Sequence, residues 1–176
     1  NDLNFAIFDI LSKLAMTTKE GEQLNALLNA IRKIMKNYPV PEEKVLPLLQ
    51  LLISGAHPVF ERRPPSMYTD KSTKLYSYLT EVCVRYEDLR EQIAPIAISW
   101  LSSSPSFMLS VSLQLITYLV TEKVIKADSE NAIELIKILV NRMGGNQKQD
   151  IDEILLGNIL ILLKDNNQIY DIQKLA

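Results

Sequence analysis

The chain has 176 residues, 47% hydrophobic and 23% charged, which excludes a disordered or fibrous polymer and allows a sizeable core. Nineteen Lys and Arg against 21 Asp and Glu leave a net charge of −2, so no overall field draws it to nucleic acid or anionic membrane. One cysteine, Cys83, excludes an internal disulfide framework and fits a reducing compartment, cytoplasmic or nuclear.

In chain order, the first helix is expected over about Asp2 to Met16, with Leu3, Ile7, Ile10, Leu11 and Leu14 on one stripe. Thr17 and Glu20 fit a capping box that restarts the chain as a second helix. That helix carries Leu24, Leu27, Leu28, Ile31, Ile34 and Met35 and is broken by Pro39 and Pro41. A third helix opens at Pro41-Glu42-Glu43, holds Pro47 inside, and stops at Gly55. Residues 55–69, with Pro58, Pro64 and Pro65, read as an irregular insertion before a fourth helix from about Asp70 to Glu87.

The fifth helix, about Asp88 to Leu101, groups Ile93, Ile96, Ala97, Trp100 and Leu101, so Trp100 is expected in the core. The sixth, about Ser106 to Val120, is apolar nearly all round, which suits an element sandwiched between neighbours. The seventh runs from Asp128 to Met143 and stops at Gly144-Gly145. The eighth spans about Lys148 to Lys164, and Asp165-Asn166-Asn167 separates it from a last short helix with Ile169 and Ile172. No strand pattern competes, so the fold class is all-α.

First helices of successive pairs open near Asp2, Pro41, Asp88 and Asp128, about 39, 47 and 40 residues apart. Recurrence at this period marks stacked helix pairs, each burying the apolar face of its neighbour. The whole chain, 1–176, reads as one helical-repeat domain of about four antiparallel hairpins. It starts at Asn1, which reads as a piece of a longer protein. No apolar run is long enough to span a membrane, and no basic segment leads into an apolar core as in a signal peptide.

Two segments resemble HEAT repeats. Lys44-Val45-Leu46-Pro47-Leu48-Leu49-Gln50-Leu51-Leu52 is similar to a HEAT first helix with its internal proline. Gln92 to Leu101 with Pro95, the Ser102–Pro105 turn and Phe107 to Leu115 resemble a complete pair. Leu155-Leu156-Gly157-Asn158-Ile159 is similar to the last helix of an armadillo repeat, where an asparagine lines a concave groove. The resemblance implies a right-handed α-solenoid that binds another protein on an extended surface.

Chemistry-bearing residues are sparse. One histidine, His57, and one cysteine cannot build a His/Cys zinc site, and a nucleophilic pair would need the two adjacent with a third group orienting the imidazole. Five glycines form no phosphate-cradling motif, and Asp150, Asp152 and Glu153 lack calcium-loop spacing. No metal, cofactor or catalytic residue is therefore assigned, and an enzyme is not expected.

The leading reading is a non-catalytic interaction module within a larger scaffold or adaptor. The second helices would offer Asn29, Arg85, Gln114, Tyr118 and Asn158 to a peptide or helix of another protein. Asn158 interrupts an apolar stripe, so it either hydrogen-bonds a neighbouring helix or faces a groove. The alternative is a nucleic-acid-associated domain. Its loop 57–76 carries Arg62, Arg63, Lys71 and Lys74 among Phe60, Tyr68 and Tyr76, for phosphate contacts and base stacking. Leu156, Leu160, Ile161, Ile169 and Ile172 make the C-terminal helices unusually apolar, which calls for a covering partner there, a second copy included.

Overall fold

Eight α-helices hold nearly all the residues described by the computed structural model, which are 2–61, 74–103, 109–143 and 151–166. They are α1 (Asp2–Thr17), α2 (Gly21–Asn37), α3 (Glu42–Ile53), α4 (Leu75–Arg85), α5 (Glu87–Ser103), α6 (Leu109–Thr121), α7 (Glu130–Met143) and α8 (Ile151–Asn166). Among the described residues there is no strand, and the fold is all-α. The helices group into two compact units, Asn1–Leu89 and Arg90–Ala176, divided near the start of α5.

In the first unit α2 is the central element, packed against both α1 and α4. Leu24, Leu28, Ile31 and Met35 recur every three or four residues and are fully buried, each worth about 1.5–3 kcal/mol. The capping box expected at Thr17 does not form. Thr17 ends α1, its hydroxyl donating back to the carbonyls of Lys13 and Leu14. The adjacent Thr18 accepts the Glu20 N–H instead, so the break falls one residue later.

α1 departs further from expectation. Its inward residues are Phe8, Ser12 and Ala15, whereas Leu3, Ile7, Ile10 and Leu14 lie exposed. Two apolar arcs compete on this helix. The arc that wins combines one large ring with small residues on the side packed against α2 and α3.

α3 buries Val45, Leu48, Leu49 and Leu52 and turns Pro47 outward. It ends as the pattern requires, with Gly55 at φ +77°, the left-handed conformation that glycine tolerates best. Of the insertion expected over 55–69, residues 62–69 lie outside the described residues. Pro58–Glu61 form a 3-10 turn, and His57 and Val59 are buried.

Side-chain contacts fix helix direction within this unit. Asp9 pairs with Lys44 at the start of α3, and Ala15, further along α1, meets His57 beyond the α3 end. Likewise Asn25 reaches Lys74 just before α4, while Lys36 meets Arg85 at the α4 end. Contacts advance in the same order along both members of each pair, so α1 runs parallel to α3 and α2 parallel to α4.

In the second unit α8 packs on α6 and α7. α6 buries Val111, Ser112, Leu113, Leu115, Ile116, Leu119 and Val120, in keeping with its apolar circumference. It closes with the Val124 N–H on Leu119 O and the Lys123 N–H on Val120 O, the paired bonds of a Schellman stop. Lys123 takes the left-handed position, at φ 59°. Ser129 caps α7 by accepting the Ala132 N–H.

α5 buries Ile93, Ala94, Ala97, Ile98 and Leu101, but Trp100, expected in the core, is only half-buried. It falls roughly 90° from the centre of that stripe at 100° per residue, on its flank. Leu156, Leu160 and Ile161 of α8 are exposed, and Ile169 and Ile172 lie outside the described residues.

Candidate binding cleft at the ends of α2 and α4

The parallel run of α2 and α4 brings their C-terminal ends together around a cleft of about 470 Å³. Met35, Lys36 and Asn37 come from the last turn of α2, and Tyr38, Pro39 and Val40 from the linker that follows. Arg85 and Tyr86 close the other side from the end of α4. Pro39 and Pro41 make this linker extended: Tyr38 caps α2 at φ −135°, ψ 147°, and Pro41 precedes α3 in the same region.

Arg85 organises the cleft. Its Nη2 donates to the Lys36 carbonyl at 2.7 Å, and its Nε donates to Glu81 Oε1 at 3.1 Å. A cation on the terminal carbonyl of α2 satisfies an acceptor the helix leaves open and offsets the negative end of its dipole. The Tyr86 hydroxyl donates to the Val40 carbonyl at 2.6 Å, anchoring the linker to α4. Burial raises the Tyr86 phenol pKa, with Arg85 opposing and Glu42 and Glu81 adding to the rise. The phenol therefore stays protonated as the donor. Met35 and Val40 are buried beneath, and Tyr38 stands exposed at the rim.

This wall of phenol, guanidinium, ammonium and amide groups over an apolar floor carries no imidazole, thiol or carboxylate among its lining residues. Tyr and Arg, both present in this wall, are enriched among the residues that anchor protein interfaces. Among the described residues no group of three His, Cys, Asp or Glu could hold a metal, and no helix is long and apolar enough to cross a membrane.

The candidate residues scatter over both units. Arg85 lies in the cleft. Asn29 sits higher on α2, half-buried, and accepts from Arg32 Nη2 at 3.1 Å. Arg32 Nε is buried and finds no partner among the described residues. In the second unit Gln114 is exposed and Tyr118 half-buried on α6. Asn158 is buried, its Nδ2 donating to Thr117 Oγ1 at 3.0 Å, which makes it a bridge between α8 and α6. Arg62 and Arg63 lie outside the described residues.

Of the two tyrosines that frame the cleft, Tyr38 carries no sequence signal of its own, and Tyr86 reads only as part of the apolar face of the fourth helix. Only the pairing of α2 with α4 unites them, although Pro39 and Pro41 mark the linker that presents one of them. Comparison with protein-family models, curated proteins and solved structures gives no match.

Proposed function

We propose that this chain is a non-catalytic protein-interaction module of HEAT/armadillo-like helical hairpins stacked as a right-handed solenoid, working inside a larger intracellular scaffold or adaptor. The observation that supports this reading most is the order of contacts in the first unit. First helices (α1, α3) and second helices (α2, α4) each lie parallel to their counterparts, as repeated hairpins do when they stack. In this reading a peptide or helix from another protein binds the face lined by the second helices, and the cleft lies at the C-terminal ends of two of them.

Photo-crosslinking groups at Tyr38 and Gln114, with Glu43 of α3 as a control on a first helix, test the assignment in cells. Polypeptide adducts from the first two positions, in excess over Glu43, are the expected result. Adducts to nucleic acid, or equal yields at all three positions, would overturn it.

A further inference from the structure

Leu3, Ile7, Ile10 and Leu14 are 72%, 41%, 60% and 49% exposed, on the arc of α1 opposite the buried Phe8, Ser12 and Ala15. Their spacing of four, three and four residues is the seam of a two-stranded coil, and at 100° per residue they fall within an arc of about 60°. The order of side chains is a palindrome, Leu-Ile-Ile-Leu. Turned about a two-fold axis between Phe8 and Asp9, the stripe sets Leu3 on Leu14 and Ile7 on Ile10 of a second copy, in four like-with-like layers. An isologous interface asks for this self-complementarity, in which residue i meets j and j meets i.

Charge agrees with that register. Asp2 and Lys13 lie on one flank of the stripe, both exposed. In the antiparallel pair the Lys13 ammonium of each copy comes within a turn of the other copy's Asp2, so the same operation creates two opposite-charge contacts. In a parallel pair this flank would face the opposite flank of the second copy, and Asp2 and Lys13 would not meet. Asp9, on the same flank, is already held by Lys44 at 2.8 Å and adds no free charge at the axis.

We infer that the outward face of α1 is a homodimerisation surface, on which a second copy of this chain docks its own α1 antiparallel. This does not depend on the cleft or its ligand. One helix per partner buries less than a standard interface.

Sedimentation equilibrium over a concentration series reads the result directly. The weight-average mass is expected to rise from 20.0 kDa toward twice that value. Ile10→Glu, at an exposed position, should hold the chain at monomer mass with unchanged helical signal and thermal midpoint. Asp2→Lys and Lys13→Glu should each weaken association about two- to tenfold, and the double variant should restore it. A chain that is monomeric throughout overturns the proposal, and so does a dimer that survives Ile10→Glu. Loss of the dimer on Leu160→Glu alone would place the second copy on α8 and overturn it too. Failure of the double charge swap to recover affinity would overturn the antiparallel register.

Discussion

The imidazole of His57 bonds the carbonyl oxygen of Ala15, 42 residues earlier, while its other nitrogen receives the Val59 N–H at 3.0 Å. The two backbone groups fix the tautomer: a carbonyl only accepts and an amide only donates, so Nε2 carries the hydrogen and Nδ1 carries none. The ring is buried and stands nearly perpendicular to the Phe60 ring, centroids 6.3 Å apart. His57 is therefore held neutral, and it ties the turn after α3 to the last turn of α1.

Protonating Nδ1 would set an N–H against the Val59 N–H inside the fold. Burial lowers the His57 pKa, with the Ala15 bond opposing. The unfolded chain binds a proton near pH 6.5, the folded chain only at lower pH. His57 thus contributes stability that is fully present above that value and is lost as pH falls through the folded pKa. Denaturant midpoints should drop on acidification from pH 7 to 5. His57→Leu should flatten that drop while costing about 1–3 kcal/mol at pH 7, from two unsatisfied backbone groups.

The contact between Asn158 and Thr117 has a different logic. Thr117 also donates to the Leu113 carbonyl at 2.7 Å, so it keeps a partner when Asn158 is removed. The buried Asn158 amide depends on Thr117. Thr117→Val should cost about 1–3 kcal/mol by stranding that amide. Asn158→Leu with Thr117→Val should recover most of the loss, because both polar groups leave together. A double-mutant cycle by chemical denaturation measures the coupling, expected at 0.5 kcal/mol or more.

At the cleft, Tyr86→Phe removes one half-buried hydrogen bond to Val40 and should cost about 0.5–1.5 kcal/mol. Thermal melts read that cost. Amide exchange at Val40 and Lys44 should accelerate, because the linker loses its anchor to α4.

The existence and order of the helices were legible because each carries apolar residues at helical spacing between proline, glycine or polar breaks. The buried arc of α1 was not legible. Leu3, Ile7, Ile10 and Leu14 make the more regular stripe, yet the core selects Phe8, Ser12 and Ala15. Periodicity ranks faces by side chain alone, while packing ranks them by the neighbour that arrives. Trp100 missed the core because one flanking position at helical spacing passed for the centre of a stripe. The cleft unites residues 46 to 49 positions apart through the parallel pairing of α2 and α4, which no local pattern records. Arg85 was reachable as a polar residue on a second helix; Tyr38 and Tyr86 were not. Nor does any sequence signal reveal that the only histidine bridges two backbone segments.

Three backbone positions test the helix ends and the fit of α8. An added Cβ at Gly157 would meet nothing within 4 Å, and the residue sits inside a helix. Gly157→Ala should therefore stabilise the chain by about 0.5–1 kcal/mol, by restricting the unfolded state. Gly55 also has open space around it, but its φ of +77° is strained for any side chain, so Gly55→Ala should destabilise by about 1 kcal/mol. Lys123 is the converse case, a side chain where the Schellman stop prefers glycine. Lys123→Gly should relieve that strain and stabilise by about 0.5–1 kcal/mol. Urea midpoints of the three variants should fall in that pattern of signs. A destabilising Gly157→Ala would show that α8 meets a close neighbour at Gly157 in solution.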